Sequence, residues 1–255
     1  MTNKMYLPKL TRKLLSKVST LWPLKVLLNE TEFKSDRDFE TLSAKQTFTN
    51  IYEEGVWGKS ADQQERFFSG SGSHDPVIVE PYINAVEGFL NSFKEKPDVV
   101  DLGCGDFFVG SKLRLFCNNY IACDIVEPVI EFNRIKYKDD GVEFRVLDLT
   151  QDELPFGKIV FIRQVLQHLS NKQIHGAISK ISAKYQYLVL TEHLPSSTTF
   201  VPNHDKAHGP EIRLSRNTGV VLTHPPFNLK ALESVCFCEI PEYGGLIRTD
   251  MYKLS

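Results

Sequence analysis

Three carboxylates stand at intervals that can grip one polyfunctional ligand. Asp101 lies in the apolar run Val99-Val100-Asp101-Leu102, which leads into Gly103-Cys104-Gly105-Asp106-Phe107. Two glycines directly after a buried run let the backbone approach a ligand where a Cβ would stand in the way. The dinucleotide spacing G-x-G-x-x-G requires a glycine at position 108, but the chain has Phe108 there and its next glycine is Gly110. Asp101 would also repel a pyrophosphate and attract a cation, so an ammonium or sulfonium ligand fits this loop better than a dinucleotide. Asp124 ends the run Tyr120-Ile121-Ala122-Cys123, 19 positions after Gly105 (124 − 105). At that offset an adjacent parallel strand delivers a carboxylate to a ribose diol. Asp148 and Leu149 follow Val142-Glu143-Phe144-Arg145-Val146-Leu147. They add an acid able to read an adenine amino group and an apolar side chain able to cover its face.

Such placement needs strands that end at one edge. From Asp75 onward, apolar runs of strand length alternate with helix-like segments, the pattern of a parallel sheet covered by helices. Strands are predicted at 97–102, 119–124, 142–147, 158–162 and 186–191, with two more at 234–240 and 246–252. The tract Phe67-Phe68-Ser69-Gly70-Ser71-Gly72-Ser73 predicts a tight loop and a boundary near residue 75. Residues 195–226 interrupt the alternation with 32 polar-rich positions (226 − 195 + 1), a functional loop or a small insertion. The expected fold is a doubly wound, seven-stranded, mostly parallel α/β sheet over 76–255, preceded by an N-terminal helical extension over 1–75.

These residues resemble the class I S-adenosylmethionine-dependent methyltransferases, with a Rossmann-like fold, over roughly 76–255. The resemblance implies that Asp101, Gly103 and Gly105 form the cofactor loop, that Asp124 holds the ribose and that Asp148 contacts adenine. The family often has a third glycine where this chain has Phe107, a departure that reshapes the loop. Asn50-Ile51-Tyr52, Trp57-Gly58, the Ser-Gly tract and Pro225-Pro226-Phe227-Asn228 look like a bacterial small-molecule subgroup. The implied role of the front segment is a lid, with Tyr52 or Trp57 facing the sulfonium through a cation–π contact. The alternative is that Trp57 anchors the segment to the core.

Methyl transfer from a sulfonium is an in-line displacement, so the protein must align donor and acceptor, exclude water and deprotonate a hydroxyl acceptor. Arg163-Gln164-Val165-Leu166-Gln167-His168 resembles the family segment beside the methionine end of the cofactor. Arg163 and Gln164 are the candidate contacts there, and His168 is a candidate base. His193, in Leu190-Thr191-Glu192-His193, is the leading base candidate, because a strand end aims it or Glu192 at the ligand edge. In the long loop, Asp205 and Arg213 either order the chain or select a polar substrate, Arg213 being suited to a carboxylate or phosphate. His204, Asp205 and His208 match no firm metal spacing, so no metal is expected.

The 255 residues are 42% hydrophobic and 24% charged, which excludes disorder, collagen and coiled coil as the main architecture. Thirty basic and 32 acidic side chains give a net charge of −2, without a broad attraction for nucleic acid. The Asn-Pro-Pro-Tyr type segment of base-modifying relatives is also missing after the fourth strand, where Phe161-Ile162-Arg163-Gln164 stands. A small polar acceptor methylated at a hydroxyl or carboxyl oxygen is the expected substrate. Five cysteines without Cys-x-x-Cys spacing, no spanning segment and no secretory signal point to a cytoplasmic protein. Residues 1–29 carry six basic side chains and no acid, with Leu7, Leu10, Leu14, Val18 and Leu21 at helical spacing. This is an amphipathic helix that either touches an anionic membrane peripherally or packs its leucines on the protein. Two other functions share some of these features: a non-enzymatic cofactor-binding module with a membrane or protein partner, and an NAD-dependent oxidoreductase.

Overall fold

Seven strands form one sheet in the order β3-β2-β1-β4-β5-β7-β6. They are β1 (Val99–Leu102), β2 (Tyr120–Asp124), β3 (Glu143–Val146), β4 (Ile159–Arg163), β5 (Tyr187–Pro195), β6 (Glu233–Glu242) and β7 (Gly245–Lys253). All seven predicted strands are present, and β5 is longer than expected because it continues as a partner of β7. Strands β1 to β5 pair in parallel, while β7 runs antiparallel between β5 and β6. The computed structural model describes residues 41–60, 65–197 and 199–255. The predicted basic helix over 1–29 lies outside the described residues.

The helices are α1 (Ala44–Glu54), α2 (Pro76–Asn91), α3 (Phe108–Leu113), α4 (Glu127–Lys136) and α5 (Asn171–Lys184). Local chemistry sets their ends. Ser43 with Gln46, and Ser170 with Gln173, form reciprocal capping boxes at α1 and α5, and Asp75 caps α2 just before Pro76. Val100, Leu102, Val160, Ile162, Leu188 and Leu190 face one side of the sheet, against Phe48 and Ile51 of α1 and Ile174, Ile178 and Ile181 of α5. Val99, Ile159, Phe161 and Val189 face the other side, against Val79, Tyr82, Val86 and Leu90 of α2. Alternate residues of each strand thus point to opposite helical layers, and both faces are apolar because both are covered.

The missing third glycine has a structural compensation. Phe107 takes the left-handed conformation that favours glycine, with φ of 61°. Its ring is fully buried and meets Tyr120, Tyr137 and Phe144 edge-on at centroid distances of 5.4, 5.1 and 5.0 Å. Such aromatic burial offsets the backbone strain of ~1–3 kcal/mol. Gly110 makes the room, since a Cβ there would lie 2.3 Å from Phe107 Cε2. Gly110→Ala is therefore expected to destabilise the fold by ~1–3 kcal/mol, read as a lower urea midpoint at unchanged slope. An unshifted midpoint would show that the ring is not confined.

The long connection after β5 has no strand among its described residues beyond Pro195, only a short 3-10 turn at Arg213–Arg216. It is nonetheless ordered by polar contacts. Asn203 is buried and donates through Nδ2 to Val221 O and Pro225 O, each at 2.9 Å, while its Oδ1 accepts from Val221 N at 2.8 Å. One side chain closes the loop that spacing alone leaves open.

Candidate active site

The carboxyl ends of β1, β2 and β4 meet around the glycine loop, and three buried aspartates gather there. Asp101, Asp106 and Asp124 are 8%, 3% and 7% exposed. Asp101 Oδ2 accepts from Tyr120 Oη at 3.0 Å. Burial pushes its carboxyl up to about 7, against the downward pull of that hydrogen bond. Asp124 accepts from Gly105 N and Val126 N, each at 3.0 Å, yet burial still raises its pKa. Asp148 sits at the same edge, half-buried, with Oδ1 accepting from Thr150 N at 2.8 Å and Thr150 Oγ1 at 2.7 Å, and Leu149 is buried beside it.

A strap formed by residues 67–74 lies over this loop. Asp106 fastens it: Oδ2 accepts from Ser69 N at 2.8 Å and pairs with His74 Nε2 at 2.7 Å, and Oδ1 accepts from Phe108 N at 3.1 Å. The His74 ring is stacked between Phe68 and Phe108 at 4.4 and 4.5 Å. Ser69 Oγ accepts from Asp106 N at 2.9 Å and shares a hydrogen bond with Tyr52 Oη at 2.9 Å. A Cβ on Gly105 would stand 2.3 Å from Ser69 Oγ and 2.9 Å from Tyr52 Oη, so glycine is what lets α1 and the strap close here. Tyr52 therefore reaches the glycine loop. Trp57 meets the Tyr52 ring edge-on at 5.2 Å and donates to Pro210 O at 3.4 Å, which anchors it to the loop after β5.

The turn after β4 forms the opposite wall. Arg163 donates to Gly72 O at 2.5 Å and to Ser73 Oγ at 3.2 Å, and its guanidinium lies 5.1 Å from the Tyr82 ring centroid. Gln164 has φ of 55° and packs so closely on the strap that a Cβ on Gly72 would lie 2.6 Å from its Oε1. Arg163 and Gln164 thus both join the β4 edge to the strap.

The two histidines differ. His193 is buried and donates from Nε2 to Glu242 O at 2.9 Å, so its lone pair resides on Nδ1 and burial lowers its pKa. His168 is a correction to the base assignment. Its Nδ1 donates to Gly209 O at 3.2 Å, its Nε2 faces Gln167 Nε2 at 3.4 Å, and its ring packs beside Trp57 at 5.1 Å. Burial, with Lys206 adding to it, pushes the imidazole down to about 3, and neither nitrogen is left for an acceptor.

Arg213 is one of the two residues expected either to order the long loop or to select a substrate. It is fully buried and donates to the backbone carbonyls of His204 and Leu169, which makes it a cross-link of the long loop rather than a free substrate clamp. Asp205 is exposed, and its Oδ1 accepts from Asn171 N and Lys206 N, each at 2.8 Å, so it ties the loop to the start of α5. Asp106, His74 and Ser69 escape a reading of strand ends because they meet only through folding. Glu192, named beside His193, proves to be 2% exposed, with Oε1 accepting from Leu166 N at 3.0 Å. Burial raises its carboxyl to about 8.

Comparison with known proteins bears on this cleft. A family model described as a methyltransferase domain matches residues 100–183, the stretch from β1 to α5. Ubiquinone biosynthesis O-methyltransferase of Rickettsia canadensis is 28% identical over 102 residues, 39% of this chain and 43% of that relative. The corresponding enzyme of Rickettsia akari is 26% identical over the same length, so the chain spans less than half the length of these curated relatives. The N-methyltransferase NodS of Bradyrhizobium japonicum, solved with S-adenosyl-L-homocysteine, superposes with a TM-score of 0.52 at 15% identity, covering 70% of this chain and 87% of that one. Magnesium protoporphyrin IX methyltransferase of Synechocystis, solved with its cofactor, gives a TM-score of 0.52 at 16% identity over 84% of this chain and 98% of that one. At such identities the likeness is one of fold.

The residues themselves fit S-adenosylmethionine. A buried carboxyl with a single hydroxyl donor, Asp101, lies next to two positive-φ glycines, Gly103 at 82° and Gly105 at 54°, and Asp124 stands on the neighbouring strand. A cationic amino-acid end and a ribose diol are groups that such an acidic edge can receive. The sheet order, the match over β1 to α5 and this chemistry agree on a methyltransferase domain of the S-adenosylmethionine-dependent type at residues 100–183.

Proposed function

We propose that the protein methylates a small polar acceptor at oxygen, and that Asp101, Gly103, Gly105, Asp124, Asp148 and Leu149 hold the cofactor. The observation that carries this reading is the gathering of acids from three adjacent strands around one glycine loop. When bound, S-adenosylmethionine supplies an electrophilic methyl group. Asp124 orients the ribose, Asp101 faces the cationic methionine end, and Arg163 and Gln164 keep the strap over it. Tyr52, Trp57 and the strap exclude water from the cleft. His193 Nδ1 offers a lone pair at the end of β5 and takes the proton of a hydroxyl acceptor. The named activity of the Rickettsia relatives, an O-methyltransferase, supports oxygen over nitrogen. In this reading the described residues between 41 and 75 form a lid segment ahead of a catalytic domain over 76–255, with 195–226 as its insertion, the partner is a small molecule, and the part of the expected N-terminal extension at 1–40 lies outside the described residues. No helix among the described residues is long and apolar enough to cross a membrane, and any peripheral contact rests with residues 1–29.

The reading predicts a pH dependence. Asp101 is raised by burial to about 7, so below that pH it carries a proton that a cationic ligand must displace. Affinity for S-adenosylmethionine is expected to rise by roughly tenfold per pH unit up to about 7 and to level off above it. Asp101→Asn should bind more weakly and lose this slope. Calorimetric titrations between pH 5.5 and 8.5 test it, and a flat wild-type profile would remove Asp101 from contact with the cationic end. An acceptor screen with His193→Ala tests the base: turnover falls while cofactor affinity stays, and full turnover in the variant excludes the role.

A further inference from the structure

The loop after β5 carries a cation that no group among the described residues satisfies. Lys206 is 8% exposed, and its Nζ has no hydrogen-bond partner. Arg213, which acts on Lys206, is also incomplete at Nε, and so is Glu192, which acts on Arg213, at Oε2. Among the charges that act on Lys206, Arg213 and Arg216 oppose its protonation and only the exposed Glu211 favours it. Burial and those arginines lower its pKa to about 8, so the ammonium still carries its proton through most of the neutral range. An uncompensated buried charge is costly, so a ligand that supplied the missing counter-ion would be held strongly at Lys206.

Its place in the fold points to the acceptor. Gly209 N donates to His168 O at 3.0 Å and His168 Nδ1 donates to Gly209 O, so the loop bearing Lys206 is bonded to the turn after β4. That same turn presents Gln164 to the strap and Val165 to Gly103. Lys206 also acts electrostatically on His168, whose ring packs on Trp57, while Trp57 in turn packs on Tyr52 at the cofactor loop. Arg213 already directs both terminal nitrogens at backbone carbonyls, whereas Lys206 Nζ has no hydrogen-bond partner among the described residues.

We infer that Lys206 is a specificity-determining residue that binds an anionic group, a carboxylate or a phosphate monoester, carried by the methyl acceptor; this deepens the methyltransferase reading and rests on it. The test uses the full chain loaded with S-adenosylhomocysteine, titrated with 4-hydroxybenzoate, phenyl phosphate and the neutral 4-hydroxybenzamide. At least one anion binds tenfold or more tightly than the amide, and Lys206→Met abolishes that preference while leaving cofactor affinity unchanged. The same variant melts at an equal or higher temperature, because an apolar side chain replaces an unpaired charge; a purely structural lysine would give a lower one. Equal or absent binding of all three probes, a preference that survives in Lys206→Met, or a lowered melting temperature overturns the inference. Failure of the wild type to bind S-adenosylhomocysteine would instead defeat the methyltransferase reading, so the two failures are distinguishable.

Discussion

Asp124→Ala is expected to weaken binding of S-adenosylhomocysteine by about 10–100-fold, corresponding to ~1–3 kcal/mol. The carboxylate stands at the end of β2, bonded to Gly105 N and Val126 N, and truncation removes both acceptors at once. On the proposed assignment the ribose then loses its partner, and the glycine loop loses the bond that fixes Gly105 against β2. Asp124→Asn keeps one oxygen and should lose less. Calorimetry on both variants, alongside thermal melts to separate binding from folding, checks the expectation. Unchanged affinity in the alanine variant would place the ribose elsewhere.

The second large effect is expected at Asp106. Its two oxygens receive Ser69 N, His74 Nε2 and Phe108 N, so one buried side chain joins the strap, the stacked imidazole and the start of α3. Asp106→Ala should lower stability by about 2–4 kcal/mol, because it leaves two backbone N–H groups and the His74 ring without their acceptor. It should also release the strap. Limited proteolysis should then cut near residues 67–74 in the variant but not in the wild type, and bound cofactor should leave faster. If the strap stays protected and the release rate is unchanged, Ser69 and Tyr52 hold it without Asp106.

The acidic edge of the sheet was legible in the sequence for a physical reason. A parallel strand brings its last residue to the same edge as its neighbours, so Asp101, Asp124 and Asp148 are placed by chain order and strand length alone. The pairing of Asp101 with Ala122, two residues before Asp124, is the register that the spacing implies. What surrounds that edge was not legible. Ser69 and His74 reach Asp106 across 37 and 32 residues, and no periodicity links a serine-glycine tract to an aspartate beyond the next helix. The roles of His168 and Arg213 depended on which backbone carbonyls the long loop presents to them, a matter of loop geometry that spacing does not encode. Phe107 shows the converse case. The sequence marks it as a departure from glycine, and only the aromatic packing around Gly110 explains how the chain tolerates it.

The central claim is that the glycine loop and its three acids accept S-adenosylmethionine and not a dinucleotide. Parallel calorimetric titration of the purified chain with S-adenosylhomocysteine and with NAD tests it most directly. Saturable binding of S-adenosylhomocysteine, one molecule per chain, with no heat from NAD is the predicted result. Binding of NAD alone, or of neither compound, would contradict the account.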